Sequence, residues 1–242
     1  MSEVSPVYHR VLLKLSGEAL MGNTAFGIDA ISVNRVAQAL CHIIQKGVQL
    51  ALVIGGGNIF RGVSLKATGI EKVSADYMGM LATVINGLAM QSALQKTGIE
   101  ARVMSAIHID AICENYTHRE AISHLEKKRV VIFVAGTGNP FFTTDSAASL
   151  RAIEMDADLM IKATKVDGVY AIDPKIDPKA HRFSRLSYNE VIQKKLGVMD
   201  TTAVILCRDN KIPLRVINMN KVDALDRAIS GFDEGTLIYS EE

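Results

Sequence analysis

The residues best suited to chemistry stand at the ends of apolar runs, and most of them suit phosphate. Lys14 interrupts the run Val11–Leu15 and is followed by Ser16 and Gly17. A lysine flanked by leucines is costly to bury unless its ammonium reaches water or an anion. It reads either as a snorkelling lysine on an edge strand or as a cation that neutralises a phosphoryl group in transfer. Gly55-Gly56-Gly57-Asn58 follows the apolar Val53-Ile54. Glycines there let the backbone approach an anion, and the N–H groups at the start of a following helix cradle it. A tight strand-to-helix turn would use the same glycines, but Arg61 adds a planar fork aimed where those amides point. In Thr137-Gly138-Asn139-Pro140-Phe141-Phe142-Thr143-Thr144-Asp145, either Thr144 or Asp145 would cap a helix over Ser146–Met155. Capping needs one residue, whereas Thr137, Asn139, Thr143 and Thr144 together suit a pyrimidine edge and a phosphate at a helix N-terminus. Asp76, before a long uncharged segment, either accepts from ribose hydroxyls or caps that helix, and Asp200, beside Thr201-Thr202, has the same ambiguity. Lys162 and Lys165, close to another strand end, meet phosphates or are simply solvated.

These loops need a scaffold that gathers strand ends. Val-, Ile- and Leu-rich runs occur at His9–Leu15, Val48–Ile54, Ala101–Ser105, Val130–Ala135, Leu159–Ala163 and Leu214–Asn218. Most are nearly continuous apolar blocks, as in parallel strands covered on both faces. Between them, Val33, Val36, Ala37, Leu40, Ile43 and Ile44 follow helical spacing, with Gly47 as a stop. Further helices are expected at Ser146–Met155, Tyr188–Leu196, Thr201–Asp209 and Val222–Ser230, and an edge strand at Thr236–Tyr239. The alternation predicts an α/β fold with an open, mostly parallel sheet between helical layers, and ligands at the carboxyl ends of its strands. No composition break marks a linker. One domain over residues 1–242 is therefore expected, with residues 1–135 on the acceptor side and 136–242 on the nucleoside-triphosphate side.

Composition excludes several classes. The 242 residues carry a net charge of +1, lack Trp and are 5% aromatic, which argues against a nucleic acid polymer as partner. The three cysteines, Cys41, Cys113 and Cys207, are far apart and read as buried thiols in a reducing cytosol. The six histidines show no ligand spacing, so no structural metal is expected. No signal peptide is expected, because Lys14 cuts the first apolar run at once. From Tyr77 to Gln95 no residue is charged, but Thr83, Asn86, Gly87, Gln91, Ser92 and Gln95 would be costly in lipid. The segment is better placed in a core or between subunits, which predicts a homo-oligomer. There is no G-x-x-x-x-G-K-[ST], and Phe60 stands where G-x-G-x-x-G needs its third glycine.

Taken in order, Leu12–Leu20, Val53–Asn58 with Phe60-Arg61-Gly62, Met78–Thr83, Ala135–Ala148, Lys162–Val169 and Asn218-Met219-Asn220 resemble the bacterial uridylate kinases of the amino acid kinase superfamily over essentially the whole chain. The resemblance implies a three-layer αβα sandwich without a P-loop, binding Mg²⁺-ATP and UMP side by side in the cytoplasm, and a hexamer. It implies ATP contacts from Lys14, Leu15, Ser16 and Gly17, with Gly57 and Arg61 at the transfer point and Thr164, Tyr170 and Asp173 on the adenosine; Lys162 and Lys165 are added as candidates for the phosphates. UMP is expected against Gly56, Asp76 and Thr137, Gly138, Asn139, Pro140, Phe141, Phe142, Thr143 and Thr144, with Asp76 toward the ribose. The resemblance also implies GTP activation, linked to Gly22, Asn23, Thr24, Ala25, Phe26 and Gly27, and UTP inhibition. The implied reaction is direct in-line transfer in pyrimidine nucleotide synthesis, with Lys14, Arg61, Asp145 and Asp200 as candidate catalytic groups. Asp145 and Asp200 would orient the lysines or a hydrated Mg²⁺. The competing readings are a kinase of the same fold acting on a carboxylate or carbamate, a nucleotide-binding protein without catalysis, and a nicotinamide-dependent oxidoreductase. The last fails on glycine spacing.

Overall fold

The computed structural model describes residues 5–60, 69–172, 174, 176, 177 and 179–241. Arg61 and Asp173 lie outside the described residues. Strand β1 (Arg10–Leu15) sits between β2 (Gln49–Ile54) and β6 (Leu159–Thr164), and β3 (Ala101–Ser105), β4 (Glu114–Asn115) and β5 (Val130–Val134) extend the sheet on the β2 side. On the β6 side follow β10 (Leu214–Asn218), β11 (Thr236–Tyr239) and β9 (Arg185–Ser187). The nine-stranded sheet has the order β4-β3-β5-β2-β1-β6-β10-β11-β9, and β10–β11 is its antiparallel pair. A separate antiparallel pair joins β7 (Val169–Tyr170) to β8 (Arg182–Phe183).

Helices cover both faces because successive strand residues point to opposite sides. Val11, Leu13 and Leu15 face one layer with Leu50, Leu52 and Ile54, and meet α1 (Ala30–Gln45), α2 (Lys72–Lys96) and α7 (Ala224–Ile229). Leu12, Ala51 and Val53 face the other, against α3 (His118–Glu126), α4 (Thr144–Glu154), α5 (Tyr188–Gln193) and α6 (Thr201–Asp209). This is the expected αβα arrangement. α1 begins where the Asp29 side chain accepts from Ser32 N–H at 2.8 Å and ends just before Gly47 at φ +90°, as its apolar spacing requires.

Several expectations are corrected. Thr236–Tyr239 is not an edge strand: β9 lies outside it and pairs with it in parallel. α3 lacks a long apolar repeat, yet Thr117 followed by Glu120 is a sequence-level helix start, and Thr117 Oγ1 accepts from Glu120 N–H. The helix expected at Val222–Ser230 is the shorter α7, preceded by Asp223 in the left-handed region. α2 extends beyond the uncharged segment at both ends, and its faces differ. Met80, Val84, Met90 and Leu94 are buried, whereas Val73, Tyr77, Leu81 and Ile85, four residues apart, form an exposed apolar stripe beside Met78. No described helix is long and apolar enough to cross a membrane.

α2 reaches the sheet closely through Gly87, where a β-carbon would lie 2.5 Å from Val134 Cγ1 and 3.5 Å from Ile132 Cγ2. These neighbours are buried and β-branched, so they have little room to turn away. Gly87→Ala should therefore destabilise the protein by about 1–3 kcal/mol, read as a lower urea midpoint. An unchanged midpoint would show that α2 is not pressed against β5.

Candidate active site

Two cavities open at the carboxyl ends of the central strands. The larger, about 1030 Å³, is lined by Lys14, Ser16, Glu18, Lys162, Thr164 and Lys165 among others. The smaller, about 170 Å³, is lined by Gly56, Gly57, Asp76, Thr137, Thr143 and Thr144 with neighbouring residues. Gly17, Gly55 and Thr144 stand close together between the residues that line them. A β-carbon on Gly55 would sit 3.4 Å from Gly17 N and 3.5 Å from Thr144 Oγ1. The sheet produces this crevice because β1 is followed by β2 on one side, whereas the chain returns from β5 through α4 to β6 on the other.

On the wall of the larger cavity, β1 and β6 carry Lys14 and Lys162 in direct register. Asp145, in the first turn of α4, bridges them. Lys14 Nζ stands 2.7 Å from Oδ1, and Lys162 Nζ donates to Oδ2 at 2.7 Å. Each carboxylate oxygen thus has its own ammonium. Lys162 also donates to the Val198 carbonyl at 2.5 Å. Burial alone would raise the Asp145 carboxyl, but the charges of both lysines outweigh it and hold it below the usual carboxylate range. Burial pushes the Lys162 ammonium down, with the Asp145 charge opposing and the Lys14 charge adding to the fall.

The mouth of α4 is organised by a different residue from the two expected. Thr143, rather than Thr144 or Asp145, is the cap, and its Oγ1 accepts from Asp145 N–H at 3.1 Å and Ser146 N–H at 3.2 Å. The Thr143 hydroxyl donates to Asp200, which also receives Ser146 Oγ at 3.0 Å. Asp200 caps α6 as well, accepting from Ala203 N–H at 3.0 Å. It thus ties the starts of α4 and α6 together and does not touch either lysine.

Asp76 is not a helix cap: it lies within α2 and accepts from Phe141 N–H at 2.8 Å while pairing with Lys72. Burial works to raise its pKa, but the Lys72 and Phe141 hydrogen bonds hold the carboxyl below its ordinary range. Lys72 Nζ also stands 5.7 Å from the Phe141 ring centroid, so the start of α2 grips the tip of the 137–142 loop.

The Amino acid kinase family model matches residues 9–218. The chain belongs to the amino acid kinase family. It is 59% identical over 235 residues to "Uridylate kinase" of Methylococcus capsulatus, covering 97% of this chain and 98% of that one. Among solved structures it resembles the UMP kinase of Bacillus anthracis, with a TM-score of 0.94, 40% identity and 97% of each chain covered. The UMP kinase of Ureaplasma parvum gives a TM-score of 0.90 and 38% identity over 96% of this chain and 98% of that one.

Within this amino acid kinase fold, the larger cavity gathers Lys14, Ser16, Lys162, Thr164 and Lys165 with Gly22, Asn23 and Thr24. Leu15 is fully buried in β1, where its carbonyl accepts from Gly55 N–H, and Gly17 is buried beneath the glycine turn. Gly57 lines the smaller cavity beside Gly56. That cavity takes Thr137, Phe142, Thr143 and Thr144 from the loop, whereas Gly138, Asn139, Pro140 and Phe141 do not line it. Ala25, Phe26 and Gly27 do not line the larger cavity, and Tyr170 lines neither, its hydroxyl donating to Asp167 at 2.6 Å. Among residues that the sequence did not single out, Glu18 pairs with Lys165 at 2.9 Å across the larger cavity. Thr83 Oγ1 receives Ala135 N–H at 2.8 Å and fixes the turn where Ala135 adopts φ +61°. An acid two residues beyond Ser16 and a hydroxyl inside an apolar helix were the available signals.

Because the native Asp145 carboxyl is held low, its stabilising contribution is complete above the ordinary carboxylate range and vanishes as pH falls through the native value. Asp145→Asn should therefore lose most stability relative to the parent above about pH 5, with the gap narrowing toward about pH 3. Urea unfolding at several pH values reads this, and a gap that widens in acid would contradict it.

Proposed function

We propose that this chain transfers the γ-phosphate of ATP to UMP, forming UDP. The observation that carries the mechanism is the position of Lys14 and Lys162 on the wall of the larger cavity, bound to Asp145, whose chain neighbours Thr143 and Thr144 line the smaller one. A volume of about 1030 Å³ accommodates a nucleoside triphosphate, since pockets for such ligands run to about 1,000 Å³. The smaller cavity, about 170 Å³, accepts UMP only if the 137–142 loop shifts, and Phe141 and Phe142 of that loop are exposed.

The UMP phosphate oxygen is already a competent nucleophile near neutral pH, so no strong base is required. The chain's task is to align two anions in line and to neutralise the charge that builds between them. Lys14 would leave Asp145 for the transferring phosphoryl group, while Asp145 and Val198 hold Lys162. Arg61, which lies outside the described residues, would add a further cation. We assign the ATP side to Ser16, Gly17, Thr164, Lys165, Tyr170 and Asp173, and the UMP side to Gly56, Asp76 and Thr137–Thr144. Asp200 contributes by fixing Thr143 and Ser146 rather than by touching phosphate.

Mg²⁺ fits as an ion carried by the nucleotide. The described residues contain no group of three His, Cys, Asp or Glu able to hold a metal, and Asp145 Oδ1 is open to a cation only once Lys14 moves to the phosphoryl group. Such a donor set suits an ion that keeps its waters and phosphate ligands, with Asp145 as the residue that would hold it. When bound, such an ion would supply charge neutralisation on the nucleotide phosphates.

We further propose a cytoplasmic, hexameric enzyme of pyrimidine nucleotide synthesis, activated by GTP and inhibited by UTP. The exposed stripe Val73, Tyr77, Leu81 and Ile85 supports self-association. Gly22–Thr24 line the larger cavity assigned to ATP, and the regulatory role of that segment rests on the family resemblance.

A coupled assay with UMP, CMP, dUMP, glutamate and aspartate should show UMP as the preferred acceptor. A better rate with an amino acid would favour a carboxylate kinase. Lys14→Ala should lower kcat by about 10²–10³ while UMP still binds in calorimetry, and near-normal turnover would overturn the scheme. Leu81→Glu with Ile85→Glu should reduce the solution mass measured by light scattering. A parent that already runs at its 26.3 kDa monomer mass would remove the oligomer from the proposal.

A further inference from the structure

Asn58 and Asn86 are almost wholly buried, at 2% and 0% exposure, in a layer otherwise filled by Val84, Met90, Ile54 and Val134. Their carboxamides bond to each other reciprocally. Asn58 Nδ2 donates to Asn86 Oδ1 at 3.0 Å, and Asn86 Nδ2 donates to Asn58 Oδ1 at 2.7 Å. The remaining protons go to backbone: Asn86 Nδ2 to the Gly55 carbonyl at 2.8 Å, and Asn58 Nδ2 to the Gly27 carbonyl at 2.9 Å. Gly27 N–H returns a bond to the Asn58 carbonyl at 2.7 Å. Every amide proton of the pair is thereby used, which buried carboxamides require. The pair also satisfies two loop carbonyls, Gly55 and Gly27, that apolar side chains of the same size would leave without these donors.

What the pair adds is fixed geometry among segments that line both cavities. Gly55 begins the turn whose Gly56 and Gly57 line the smaller cavity. Gly27 ends the segment whose Gly22, Asn23 and Thr24 line the larger one. Gly17 packs against the same atoms: a β-carbon there would meet Asn58 Oδ1 at 2.2 Å and the Gly55 carbonyl at 2.5 Å. Asn86 belongs to α2 and stands next to Ile85 of the exposed apolar stripe. We propose that the Asn58–Asn86 amide pair is a positioning element for phosphoryl transfer, setting the Gly55–Gly57 turn against the Ser16–Gly17 turn so that the two phosphates meet in line.

This inference rests on the UMP kinase reading, and the parent enzyme tests that reading first: no UDP from ATP and UMP would end it whatever the variants do. With an active parent, Asn86→Ala and the milder Asn58→Ser are compared by steady-state kinetics, with folding followed by circular dichroism and urea unfolding. Each should lower kcat about tenfold or more, because small misplacements of reacting groups are costly. The KM values for both substrates should stay within about threefold of the parent. The Asn58→Ser/Asn86→Ala double variant should be within about twofold of the worse single variant, as expected for residues acting as one unit. A folded variant with parental kcat, a loss confined to KM, or independent multiplying losses would overturn the proposal. So would failure of both single variants to fold, since the pair would then be a requirement of the core alone.

Discussion

One buried carboxylate between two ammonium groups is the constraint around which the site is arranged. Lys14 and Lys162 project from neighbouring strands in register, and two cations this close would repel strongly without a counter-charge. Asp145 supplies it from a third element, the first turn of α4. The position of α4 relative to the sheet is therefore an electrostatic requirement as well as a packing one. Thr143 and Asp200 then secure the α4 terminus to α6, so that the carboxylate cannot drift from the lysines.

The two lysines differ in their number of partners. Both pair with Asp145 at 2.7 Å, but Lys162 also donates to the Val198 carbonyl. An ammonium with one partner can be surrendered to an incoming phosphate with less loss than one that also binds a backbone carbonyl. In the proposed reaction this asymmetry would leave Lys162 in place and free Lys14 for the phosphoryl group. On the acceptor side, Asp76 and Lys72 restrain the 137–142 loop through Phe141, and the buried Asn58–Asn86 pair fixes the floor beneath both glycine turns.

Apolar periodicity and glycine placement were enough to read the αβα class, six of the central strands and the loops that carry the site. Continuous Val, Ile and Leu blocks require cover on both faces, and a lysine in such a block requires an anion. The family resemblance was legible for the same reason, since ordered loop motifs are local. Short elements such as β4, β7 and β8 were not legible, because two residues carry no period.

The partners of each charge were decided only by tertiary structure. The sequence left Lys14 open between an edge strand and a phosphate site; placement of β1 between β2 and β6 removes the first. It left Asp76 open between a cap and a ligand; its place inside α2, bonded to Phe141, removes the cap. It put the α4 cap one or two residues too late and gave Thr236–Tyr239 an edge position that β9 occupies. Side-chain types and local spacing determine which groups need a partner, but the partner here lies 131 residues away for Lys14 and Asp145, reached only when the strands assemble.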